Sequence, residues 1–163
     1  GTQNAALSSL PTPIDATAST TRNGLRTAQL SLMPANEVLK IGDKRRFAIE
    51  LNSNVALSLA VVALRFDPKV VKVTAVSYGL LFPNGKAPML TQSVDPSGMC
   101  LISISANGAA LMQGSGSLAF IQLEAIGPGD TGIIFDKGNM HLVAADGREV
   151  ALKLVEGPTT VKQ

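Results

Sequence analysis

The chain has no tryptophan, one tyrosine, one histidine and one cysteine among its 163 residues, and only 16% of those residues are charged. Each shortage excludes something. A single thiol rules out a disulfide framework and a thiolate metal site. Cys100 stands between Met99 and Leu101 in an apolar run and reads as a small buried hydrophobe. Any histidine-based triad would have to use His141, which lies in Gly138-Asn139-Met140-His141-Leu142-Val143, a short strand by pattern. Gly114-Ser115-Gly116 lacks the Gly-x-Ser-x-Gly spacing of a nucleophile elbow and reads as a turn before a strand. No catalytic residue is assigned.

The charge balance is equally uninformative about electrostatic partners. A formal net charge of +2 with one basic cluster, Lys44-Arg45-Arg46, makes no footprint for nucleic acid, and the cluster reads as the solvated start of a strand. Asp136 with Asn139, and Asp95 near Asp130, are too sparse for a calcium loop, so neither a metal nor a cofactor is assigned. With no Trp, one Tyr and five Phe, the chain is short of rings for a sugar-stacking platform. No run reaches the roughly 20 apolar residues of a membrane span, so no membrane insertion is expected of this chain. Residues 1–10 lack the basic start and apolar centre of a signal peptide. A start at Gly1 without Met leads us to expect a piece of a longer protein.

What is present is aliphatic and turn-rich. Hydrophobic residues make up 45% of the chain, enough for a full core, and 15 Gly and 9 Pro punctuate it. Residues 1–27 are rich in Ala, Ser and Thr with Pro11 and Pro13, and read as a flexible linker ahead of a single domain at 28–163. The domain is organised around residues 56–68, a strand stopped by Asp67-Pro68. Alternation puts Ala60, Val62, Leu64 and Phe66 on one face and Leu57, Leu59, Val61, Ala63 and Arg65 on the other. Both faces are apolar for most of its length, so the outer one calls for cover by a partner, a sister chain or the chain's own tail.

Strands are expected at 28–33, 38–41, 46–52, 70–76, 89–94, 99–107, 117–126, 131–135, 140–144 and 149–155, with 159–161 extending the last edge. Asn52-Ser53-Asn54 reads as the turn between strand 46–52 and the organising one, 108–116 as a loop, Asp95-Pro96-Ser97-Gly98 as a turn and Asp146-Gly147 as a hairpin turn. In 99–107, Cys100, Ile102, Ile104 and Ala106 share one face and Ser103, Ser105 and Asn107 the other. Short strands in close succession with no amphipathic helix describe an all-β, antiparallel sandwich.

The order of these signals resembles the cohesin family over residues 30–161. The elements are Val38 followed by Gly42-Asp43, then Phe47-Ala48-Ile49-Glu50-Leu51, and the Leu64-Arg65-Phe66-Asp67-Pro68 exit of the third strand. Gly116-Ser117-Leu118-Ala119 running into Ile121-Gln122-Leu123-Glu124-Ala125 and the Asp146-Gly147 hairpin complete the series. The resemblance implies a nine-stranded antiparallel jelly-roll β-sandwich that binds protein and has no catalysis. It implies a partner-binding face of Leu59, Val61, Ala63 and Arg65 with Ser103, Ser105 and Asn107. The expected partner is a dockerin-like protein or another envelope or secretion component, because the row is aliphatic where dockerin-binding cohesins offer polar and acidic groups. Similar modules occur in type II secretion secretins, which makes an extracytoplasmic setting the expectation. A carbohydrate-binding sandwich and a purely structural domain are the alternatives.

Overall fold

The strand that organises the molecule is longer than its pattern announces. Lys44–Phe66 forms one 23-residue strand, where the sequence reads as two strands joined by a turn at 52–54. No Gly or Pro interrupts it, and the polar trio is absorbed as an irregularity. The Ser53 hydroxyl donates to the Val55 carbonyl at 2.7 Å and accepts from the Val55 N–H at 3.1 Å. These local bonds kink the strand without reversing it.

The computed structural model describes residues 27–82, 89–106, 111–130, 133–157 and 159–163. The linker expected over 1–27 lies outside them except for Thr27, as do 83–88 and Asn107. The strands are β1 Thr27–Met33, β2 Val38–Lys40, β3 Lys44–Phe66, β4 Val71–Tyr78, β5 Met89–Asp95, β6 Met99–Ser105, β7 Met112–Ala125, β8 Ile133–Phe135, β9 His141–Ala144, β10 Ala151–Val155 and β11 Thr160–Lys162. A 3-10 turn, Lys137–Asn139, separates β8 from β9.

β3 belongs to both layers of a sandwich. Its first half pairs with β1 on one side and β7 on the other; its second half pairs with β6 and, opposite, with β8 and β9. One layer runs β10-β1-β3-β7-β4 and the other β8/β9-β3-β6-β5, and the register shift between Ser53 and Leu57 is the corner. Strands that change sheet do so at such irregularities. The result is the expected all-β jelly-roll sandwich, antiparallel except where β10 closes on β1 and β11 on β2, both in parallel.

Strand pairing overrides three local expectations. Gly114-Ser115-Gly116 lies inside β7, opposite Ser53, Asn52 and Leu51, and is no turn; of the loop expected over 108–116, 112–116 is strand and 108–110 lie outside the described residues. Ladder bonds to β3 outweigh the local turn signal, and Gly114 takes the left-handed φ of +93° that the corner requires. Leu57, assigned to the outer face, is fully buried, because the register slips again between Leu57 and Leu59.

The core fills the space between the layers. Phe47, Ile49 and Leu51 enter it from the first half of β3, Val62 and Leu64 from the second, and Ile102 and Ile104 from β6. Each such side chain contributes roughly 1.5–3 kcal/mol on burial. Cys100 is buried among them as expected, and burial pushes its thiol up to about 11. At the rim, Arg45 pairs with Glu37 at 3.0 Å and Arg46 lies 4.2 Å over the Phe120 ring, so the basic cluster does open a strand.

Candidate functional site

The second half of β3 is a central strand, and its outward side chains anchor an outer face whose rows are set by register. One row runs Val143, Leu59, Ser105, Met89; the next His141, Val61, Ser103, Thr91. The third is Ala63, Leu101, Ser93 and the fourth Ile134, Arg65, Met99, Asp95. The middle of the face is therefore an aliphatic strip on β3 beside a column of hydroxyls on β6 and β5.

Charge is confined to the margins and mostly paired there. Arg65 Nε donates to Asp136 Oδ2 at 2.9 Å, and Asn139 Nδ2 donates to the same oxygen at 2.7 Å. His141 Nδ1 is 2.9 Å from Glu149 Oε2, both side chains exposed. Asp136 and Asn139 are thus engaged with each other and with Arg65, and no group of three or more His, Cys, Asp and Glu able to hold a metal exists among the described residues. At the foot of the face Asp95 accepts from the Ser97 N–H at 2.9 Å, a bond that holds its carboxyl below the usual range.

The residues singled out from sequence fall as follows. Leu59 and Val61 are half-buried and lie directly opposite Ser105 and Ser103, themselves half-buried. Arg65 is exposed on the same face. Ala63 is on that face by register, paired with Leu101, but its small side chain has no exposed surface. Asn107 lies outside the described residues. Sequence reasoning missed Leu101, 36% exposed at the centre, and Met89, 57% exposed at one end. Leu101 shares the parity of Ser103, so alternation alone could have found it. Thr91, Ser93, His141 and Val143 join the face only through pairing with other strands.

No family model and no curated protein matches the sequence. Solved structures do match the fold. The cohesin of OlpC from Clostridium thermocellum, solved with the dockerin Doc435, superposes with a TM-score of 0.68 at 15% identity, covering 84% of this chain and 94% of that one. The chain has the cohesin fold. The OlpA cohesin of the same bacterium, solved with the dockerin Doc918, gives 0.68 at 18% identity over 83% of this chain and 99% of that one. A non-cellulosomal cohesin from Archaeoglobus fulgidus gives 0.66 at 14% over 84% and 92%. Cohesin folds thus recur in proteins solved with dockerins and in one described as non-cellulosomal, and at these identities the shared property is the architecture.

Proposed function

We propose that this domain is a non-catalytic protein-binding module whose outer β8/β9-β3-β6-β5 face docks a dockerin-type partner. The observation that carries the reading is the strip of Leu59, Val61, Leu101 and Met89 beside Ser103, Ser105, Thr91 and Ser93, with charges at the margins. An apolar centre with adjacent hydrogen-bonding groups and a polar rim is the anatomy of a protein interface. Structural neighbours solved with dockerins agree with it. Carbohydrate recognition draws no support, since no Trp, Tyr or Phe lies in the four rows. The setting we infer is extracytoplasmic, in a larger envelope or secreted protein such as a type II secretion secretin; it rests on the Ser/Thr/Pro-bearing stretch 1–27.

The test is site-specific photo-crosslinking of the whole chain in the secreted and envelope fractions of its source. A crosslinker at Leu101 should capture one discrete dockerin-bearing protein, and one at Lys72, exposed on the other layer, should not. Val61→Asp should weaken capture at least tenfold while changing stability by no more than about 1.5 kcal/mol. Val62→Asp, next to it but fully buried, should unfold the domain. Equal capture from Leu101 and Lys72, or undiminished capture by Val61→Asp, would refute the face.

A further inference from the structure

Exposed sheet edges are normally blunted by Lys, Pro, bulges, shortness or cover. Among the described residues the edges of 4 residues or more other than β5 are blunted or covered. β10 carries Lys153 at its centre, and β4 carries Lys72 and a register shift between Val73 and Ala75. β9 is covered by the returning chain, where Ala144 N donates to Arg148 O at 2.8 Å and Val150 N to Leu142 O at 2.9 Å. β2 and β11 are only 3 residues each. β5, Met-Leu-Thr-Gln-Ser-Val-Asp, has no Lys, Arg, Pro or Gly over its 7 residues and pairs with β6 without a bulge.

Its outward backbone groups can be assigned. Leu90 N donates to Tyr78 Oη at 3.1 Å, away from β6. Alternate residues of a strand turn their N–H and C=O to the same side, so Gln92 and Val94 also aim theirs outward. Among the described residues nothing meets them. Thr91 and Ser93 are committed to β6.

We propose that β5 is a self-association edge, on which β5 of a second copy pairs antiparallel about a two-fold axis at Ser93. In that register Gln92 and the partner's Val94 exchange both backbone bonds, and the symmetric pair does the same. The paired segment ends at Leu90, whose N–H is already held by Tyr78, and at the partner's Pro96, which has no N–H to give. The open groups and the closed ends therefore match those of the same strand run backwards. Thr91 faces the partner's Asp95, hydroxyl beside carboxylate, and the only charge of the strand never meets its like. A two-fold axis perpendicular to the layer places both outer faces on one side of the dimer.

The test is sedimentation of the full chain over a range of concentrations, with variants. Wild type should dimerise reversibly. Gln92→Pro removes an outward N–H without touching the β6 ladder, and Gln92→Lys adds a charge at the edge should proline disturb folding; each should weaken the dimer at least tenfold. Ser93→Cys should form an oxidised dimer far more readily than Thr91→Cys, since facing non-hydrogen-bonded residues lie about 4.5 Å apart at Cα. A monomeric wild type overturns the proposal, including the cases where residues 1–26 or a strand of another protein occupy the edge. So do a dimer unchanged by Gln92→Lys and Gln92→Pro, or equal crosslinking at 91 and 93.

Discussion

At the scale of single residues the clearest consequence concerns Cys100. Its thiol has no exposed surface, and burial raises it from 9.0 to about 11, so the folded state holds the proton that the unfolded state releases first. The stability tied to the neutral thiol is complete below pH 9.0 and is lost as pH rises through about 11. Cys100→Ala should cost about 1 kcal/mol near neutrality, the penalty for a small core cavity. Urea titrations at pH 7.5, 9 and 10 should show the gap between wild type and variant narrowing with pH; a constant gap would contradict the shift. The same burial predicts that thiol reagents modify Cys100 only as fast as the domain opens.

Among the elements, the β5–β6 hairpin joins the outer face to the end of β3 through a single turn. Gly98 has φ of +113°, its N–H donates to Asp95 O at 2.9 Å, and its carbonyl accepts from Phe66 N at 2.9 Å. A Cβ at Gly98 would strike the Phe66 carbonyl oxygen as well as suffer the left-handed backbone. Gly98→Ala should therefore destabilise the domain by about 2 kcal/mol or more, read by chemical denaturation. The loss of pairing order in β5 should also weaken whatever that strand binds. At Gly147, φ +87° with nothing near its Cβ, the same substitution meets only the backbone term and should cost less.

For the whole molecule, sharing β3 between layers means that neither layer can open alone without breaking the strand's other contacts. The two layers should behave as one cooperative unit. Native-state hydrogen exchange should give the same opening free energy for the amides of β6, in one layer, and β7, in the other, within about 1 kcal/mol. Two well-separated opening energies would show that the corner at Ser53 uncouples the halves. If the edge of β5 joins two copies, their outer faces lie on one side, and a partner with two docking elements gains by effective concentration instead of by new contacts.

The sequence by itself determined the all-β class, the core parity of β3 and β6, the burial of Cys100 and the order of turns at Asp95-Pro96-Ser97-Gly98 and Asp146-Gly147. These are local properties, since alternation and left-handed glycines depend on neighbours a few residues away. It also placed Leu59, Val61, Arg65, Ser103 and Ser105 on outward positions for the same reason. The tertiary structure alone decided what depends on pairing between distant segments. Asn52-Ser53-Asn54 became a corner because β1 and β7 hold the strand before it and β6 and β9 the strand after it. Ala63 has no exposed surface although its register is outward, while Thr91, Ser93, His141 and Val143 gained places on the face by register. Which edge stays open is a fact of the same kind, because an unpaired N–H is defined only once every other strand has found its partner.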